Sequence, residues 1–349
     1  MKKILGSVVI ALIVLLVLLV MCILWGSAKT VSEEEYAEGY IIDGPGDPQT
    51  GKSTYSVMTY NAGYASGTAN STAKMPDRDF FDKNLTTMID MIGSHNPDFL
   101  CVQEIDVSSK RSYYVDQVKE FNQKLGYVET AFAPNFSKNY VPFPYWPPSA
   151  HWGKVYSGMA VFSSLPLKEQ KLTVLDPPVN FSWLYNLFYL DRTIQRTSVN
   201  MEGEEVYIFN LHFEAWDGDT REKQAKKLLE LYREVKDHPV LIVGDLNVIP
   251  PYATRRHNFP MDNYEDEVDY RGEETMEIIL SEGSLDTAIS KARYLAEEDK
   301  YMTYPSDKPH MKIDYILYNS YIRPVRSYVV NENVAASDHR PVYMEFTLQ

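Results

Sequence analysis

The chain predicts an α+β fold, one large domain of alternating strands and helices preceded by an apolar helix. Three observations predict it. No charged residue occurs from Ile4 to Trp25, and Leu12 to Val20 is an unbroken run of Leu, Ile and Val. From Ser53 onward, short strand-like segments alternate with a few amphipathic helical ones. The composition is globular, 44% hydrophobic and 13% aromatic over 349 residues, so a sizeable core is available. Many short strands with few helices point to a layered arrangement, and a two-sheet sandwich with helices outside would bury such strands on both faces.

The first element is the apolar segment. A bilayer core is spanned by about 20 apolar residues, whereas the apolar region of a signal peptide is nearer to about 7–15. An uncleaved anchor over 4–25 is expected. Gly26-Ser27-Ala28 keeps open the alternative of a cleaved signal peptide, and Met21 before Cys22 disfavours lipid attachment. Lys2 and Lys3 precede the span, while Glu33, Glu34 and Glu35 follow Lys29. This bias predicts a single-pass protein of the cell membrane, N-terminus cytoplasmic and domain outside. Residues 26–52, punctuated by Gly44-Pro45-Gly46-Asp47-Pro48, read as a linker.

Residues 53–349 follow as one domain without an internal boundary. Strands are expected at Tyr55 to Tyr60, Asp98 to Val102, Ser157 to Ser163, Glu205 to Leu211, Pro239 to Val243, Ile313 to Tyr318 and Val342 to Phe346. Helical spacing marks Asp79 to Ser94, Ser112 to Leu125 with Gly126 as its stop, and Thr220 to Lys236. Segments 140–152 and 181–189 are rich in aromatics. They read either as loops packed on the domain or as a rim near the site or a lipid surface. The two cysteines, Cys22 in the span and Cys101 in an apolar run, are not expected to pair. A monomer is expected.

The strand ends carry the chemistry. Tyr55 to Tyr60 finishes with Asn61, and Phe99 to Gln103 with Glu104. Val206 to Leu211 finishes with His212, and Val240 to Val243 with Gly244-Asp245-Leu246-Asn247. Asp314 opens one apolar strand and Ser337-Asp338-His339 precedes another. Each has a bland reading: Asp and Asn are ordinary turn residues, and a lone Glu is usually solvated. As a set they suit one task. Glu104 and Asn61 offer hard oxygen donors, which fit Mg²⁺, with Mn²⁺ as an alternative, rather than Zn²⁺. Asp245 would orient or deprotonate a water, and Asn247 would hold a phosphoryl oxygen. His212 and His339 would stabilise phosphate charge or move protons. Asp338 is a metal ligand or an imidazole partner. His95, His151, His238, His257 and His310 are read as structural; Arg192 and Arg196 either reach a phosphate or, the preferred reading, face solvent.

The ordered motifs Met58-Thr59-Tyr60-Asn61, Gln103-Glu104, Ser157-Gly158-Met159-Ala160-Val161, Asn210-Leu211-His212, Gly244-Asp245-Leu246-Asn247, Ile313-Asp314-Tyr315 and Ser337-Asp338-His339 resemble the endonuclease/exonuclease/phosphatase superfamily. The resemblance implies a four-layer α/β/β/α sandwich and Mg²⁺-dependent phosphoester hydrolysis. It implies Glu104 as metal ligand, helped by Asn61, and Asp245 as the residue that positions or activates water, with Asn247 beside it. It further implies His339 on the scissile phosphate, oriented by Asp314 and supported by Asp338, which is alternatively a metal ligand. His212 would bind phosphate or assist the leaving group.

The net charge of −14 disfavours a surface built to neutralise a long nucleic acid. With the anchor, it favours a lipid headgroup or small phosphodiester outside the cell. An extracellular metal-dependent nuclease is the alternative. An inactive anchored binding module is the alternative of another class.

Overall fold

In the computed structural model of the protein, residues 2–68, 75–261 and 264–349 are described. Two sheets form the centre. The first has seven strands, in the order Tyr40–Asp43, Glu129–Val141, Gly153–Ser163, Phe99–Asp106, Tyr55–Asn61, Val342–Leu348 and Ile322–Val329. The second has six, in the order Leu285–Thr287, Asp314–Asn319, Val240–Asp245, Glu204–His212, Thr193–Met201 and Leu167–Val174.

Three apolar interfaces make this a four-layer sandwich. Phe81, Leu85, Met88 and Ile92 of helix Arg78–His95, with Phe121 of helix Gln117–Leu125, cover the outer face of the first sheet. Ala225, Leu228 and Tyr232 of helix Gly218–Arg233 cover the outer face of the second. Between the sheets lie Val57, Phe99, Cys101, Val161, Leu241 and Val243. Strands covered on both faces are apolar without alternation, and Tyr55–Asn61 is buried at every position.

A buried polar network crosses the middle of this apolar layer. The Asn210 side-chain oxygen accepts from Gln103 Nε2 at 2.6 Å, while its Nδ2 donates to the carbonyl of Val102 at 3.2 Å and to Gln195 Oε1 at 3.0 Å. These bonds fix the offset between the sheets, because each member has its partner only in one alignment.

Each sheet has one parallel pair. Tyr55–Asn61 runs parallel to Phe99–Asp106, and Glu204–His212 runs parallel to Val240–Asp245. A helix makes each crossover: Arg78–His95, capped by the Asp77 side chain on Phe80 N at 2.8 Å, and Gly218–Arg233. Ligands in α/β sheets gather outside the carboxyl ends of parallel strands. Asn61, Glu104, His212 and Asp245 all lie at or near those ends.

Several sequence expectations are corrected. The helix expected from Ser112 begins at Gln117, capped by Asp116 on Lys119 N. The preceding stretch is a tight turn with positive φ at Tyr113 and Tyr114, drawn inward by the buried pair of Arg111 and Asp106. Strands Glu129–Val141 and Ile322–Val329 were not anticipated, since each contains a proline. Pro134 lies at a register shift, and Pro324 at another on an edge strand, both positions where a missing N–H is tolerated.

Residues 26–52 do not run as a free tether. Glu33–Glu38 is helical, and Tyr40–Asp43 pairs with Glu129–Val141 at the sheet edge. The buried Tyr36 hydroxyl donates to Asp191 at 2.5 Å, and Tyr156 donates to Glu35 at 2.7 Å. The helix Lys2–Ser27 contains a stretch long and apolar enough to cross a membrane, a length and composition that a signal sequence also has.

Candidate active site

The Glu104 side chain leaves the ladder through a bulge. Residues 103 and 104 lie between the pairings Val102 with Ala160 and Ile105 with Gly158, where the facing strand has only Met159. Glu104 adopts φ 53°, which non-glycine residues seldom do. The extra residue turns its carboxylate out of the sheet and into the site. It stays partly exposed at 16%, whereas the other acids and imidazoles of the site are nearly fully buried.

Asp245 is the hub. Its Oδ2 receives Asn61 Nδ2 at 3.1 Å and faces His212 Nε2 at 3.6 Å and His339 Nε2 at 3.7 Å. Its Oδ1 accepts the backbone N–H of Asn247 at 2.9 Å. Asp314 lies directly across the ladder from Asp245, and both its oxygens meet His339 Nδ1, at 3.0 and 3.2 Å. Ligand atoms of Asp245, Asp314 and His339 lie within 4.8 Å of one another. Within this trio both Asp314 oxygens are engaged by the His339 imidazole.

Asp245 and Asn247 stand two apart, as residues on one face of a strand do. They do line one cavity, for another reason. The strand ends at Asp245, and Asn247 turns back with φ 50°, its side-chain amide donating to the carbonyl of Phe213 at 3.0 Å. Gly244 permits the close approach of a neighbouring backbone. It has φ 143°, and a Cβ there would stand 2.0 Å from the carbonyl oxygen of Leu211 on the adjacent strand.

Ser337 sets the last segment. Its hydroxyl donates to the carbonyl of Asn61 at 2.7 Å and accepts the backbone N–H of His339 at 3.2 Å. His339 is also covered by the ring of Tyr304, centroid to centroid 4.9 Å. Asp338 lines the same cavity as Glu104.

The two imidazoles are held in opposite states. Burial lowers His212 well below its ordinary range, and Arg192 and His339 push it the same way, so it is neutral. Burial also opposes charge on His339, but the carboxylates of Asp314 and Asp245 outweigh it and hold the ring protonated well above its ordinary range. Burial, with Asp314, pushes the Asp245 carboxyl up.

Arg192 and Arg196 do not face solvent. Both are buried, and Arg196 pairs with Glu234 away from the site. Arg192 lines the cavity beside His212, its Nε on Glu214 at 3.3 Å and its Nη2 on the Tyr189 hydroxyl at 3.3 Å. Among the described residues its Nη1 has no hydrogen-bond partner. The sequence signal was weak, an arginine next to an acid at the start of an unanticipated strand.

The site opens into a cavity of about 640 Å³. It is lined by polar groups, Glu104, His212, Asp245, Asn247 and His339, and by apolar ones, Phe143, Trp152, Leu184 and Phe188.

A two-sheet sandwich with acids, an amide and imidazoles at its carboxyl strand ends is the architecture of a class of phosphoester hydrolases. The chain belongs to the endonuclease/exonuclease/phosphatase family, whose model matches residues 58–339. Members of that family hydrolyse phosphoester bonds. No curated protein matches the chain significantly. Among solved structures, it is similar to an endonuclease/exonuclease/phosphatase from Beutenbergia cavernae, with 20% identity, TM-score 0.56, and coverage of 85% of this chain and 72% of that one. It is also similar to a mannosyl-6-phosphatase from Bacteroides thetaiotaomicron, with 17% identity, TM-score 0.56, and coverage of 84% and 100%. The human Nocturnin catalytic domain with bound sulfate is a third, at 17% identity and TM-score 0.54, with coverage of 89% and 97%.

Proposed function

We propose that the protein is a divalent-metal-dependent phosphoester hydrolase held at the outer surface of the cell membrane by its N-terminal helix, acting on lipid headgroups or small phosphodiesters. The observation that carries the reading is the convergence on Asp245 Oδ2 of Asn61, neutral His212 and protonated His339.

The donor set fits a hard cation. Glu104, Asp245 and Asp338 bring three carboxylates to one cavity, whose lining also holds Arg192 and the charged His339. Glu104, with Asn61 and Asp338, would hold Mg²⁺ or Mn²⁺, which when bound polarises a phosphoryl oxygen. Asp245, pushed up by burial, is suited to accept a proton from an attacking water near neutral pH. His339, kept charged by Asp314, donates to the phosphate as negative charge grows. Arg192 directs its remaining N–H groups to the same anion, and Asn247 orients an oxygen.

Turnover of bis-p-nitrophenyl phosphate tests the reading. Activity is expected with Mg²⁺ or Mn²⁺, abolished by EDTA, and reduced by about 10²-fold or more in Glu104→Ala. No turnover with Mg²⁺ or Mn²⁺, or only a trace that survives Glu104→Ala, supports instead an inactive binding module. Plasmid nicking that dominates over lipid and small diesters at physiological salt supports the nuclease.

A further inference from the structure

The cavity does not stop at the polar groups. Its lining also includes Phe143, Trp152, Leu184 and Phe188, together with Cys22, Ile23 and Gly26 of the last turns of the apolar helix. That helix end is seated on the domain. The carbonyls of Trp25 and Ala28 accept from Asn139 Nδ2 and N at 3.1 and 3.0 Å, and the Trp25 ring lies 6.4 Å from that of Tyr140. Gly26 lies so close to Phe188 and Tyr140 that a Cβ would stand 3.3 Å from each. The helix therefore forms a wall of the cavity as well as an anchor.

We propose that this trough is a lipid-chain subsite: a phosphoester bearing a long apolar chain lies with its phosphate at Asp245 and His339 and its chain between the aromatic loops and the end of the anchor helix. The inference rests on the hydrolase reading and names its substrate class. Three features converge on it. The volume, about 640 Å³, is that of a small-ligand site. Apolar and polar groups line the same cavity, so one occupant meets both. The loops that wall the trough also carry Trp146 and Trp183, 80% and 73% exposed. Tryptophans so exposed beside a membrane-length helix suit the headgroup region, where an apolar ring with a polar N–H is at home. Lipid leaving the outer leaflet along the helix would enter the trough without crossing water.

The reaction needs no co-reactant. The oxygen of water forms the new P–O bond, the ester P–O bond breaks, and the leaving alcohol oxygen takes up a proton. The lipid side of the phosphate remains in the trough whether the alcohol that leaves is the lipid or the headgroup.

The test uses the full chain reconstituted in nanodiscs with Mg²⁺ or Mn²⁺. Phosphatidylcholine and sphingomyelin with long chains are compared with dihexanoylphosphatidylcholine and with bis-p-nitrophenyl phosphate. Expected is a kcat/KM about tenfold or more higher for at least one long-chain lipid than for the short-chain one. In Cys22→Trp and Leu184→Arg, the ratio of lipid to soluble-diester turnover is expected to fall by about tenfold or more. An independent arm places a diazirine at the acyl terminus of the lipid with the unsubstituted protein. Crosslinks at residues 22–26 and 181–190 support the subsite; crosslinks confined to 4–21 overturn it, even if the variants fail to fold. Hydrolysis of the soluble diester without chain-length preference overturns the subsite and leaves the hydrolase reading standing. No turnover of any diester, with crosslinks still in the trough, overturns the hydrolase reading and leaves a lipid-binding site.

Discussion

Glu104 holds its carboxylate in the site against its own backbone preference. Its φ of 53° costs about 1–2 kcal/mol relative to an ordinary strand residue. Glu104→Gly should therefore abolish hydrolysis while leaving thermal stability unchanged or raised by about 1 kcal/mol, read by calorimetry. His339 is the other residue whose state is set by its surroundings. Because Asp314 and Asp245 raise it, the charged ring persists above its ordinary range, and activity that needs it is lost only as pH rises through the raised value. In Asp314→Asn that falling limb should move to lower pH in a pH-rate profile of a soluble diester. An unmoved limb would show that His339 does not carry it.

At the scale of elements, the strand after Lys312 carries a strain of a different kind. Burial lowers the Lys312 ammonium from 10.5 to about 7, with Asp314 pulling the other way. Its Nζ donates to the carbonyl of Asp314 at 2.7 Å and sits 3.8 Å from the centre of the Tyr315 ring. Between those two values the unfolded chain holds a proton that the folded one does not, so stability contributed here rises as pH climbs from about 7 to 10.5. Lys312→Met should flatten that rise in urea denaturation and stabilise the protein at neutral pH, by an amount on the order of a few kcal/mol. The apolar strands and the three long amphipathic helices were legible, because burial on a helix or strand face leaves a period in the sequence. Glu129–Val141 and Ile322–Val329 were not. Their prolines sit at a bulge and on an edge, and edge and bulge exist only after neighbours have paired.

For the whole molecule, the alignment of the two sheets depends on Asn210. Asn210→Leu leaves Gln103 and Gln195 with lost partners in the apolar layer and should cost about 2–4 kcal/mol of unfolding free energy. It should also depress turnover more than a comparable loss elsewhere, because Gln103 precedes Glu104. Equal stability in urea would mean that water replaces the amide.

The sequence by itself determined which residue types stand at strand ends, the apolar N-terminal helix and the layered class. Those are local properties, written in periodicity and in neighbours along the chain. Only the tertiary structure decided how Asn61, Glu104, His212, Asp245, Asp314 and His339 meet, with Asp245 Oδ2 at their centre and both Asp314 oxygens on the His339 ring. It also decided that Arg192 is buried in the site, and that residues 33–43 dock on the sheet instead of hanging free. The physical reason is register. A bulge at Glu104, the parallel pairing of His212 with Asp245 and the seating of the helix end on Asn139 join segments far apart in the chain. No local pattern encodes which of many pairings satisfies every buried donor and acceptor at once.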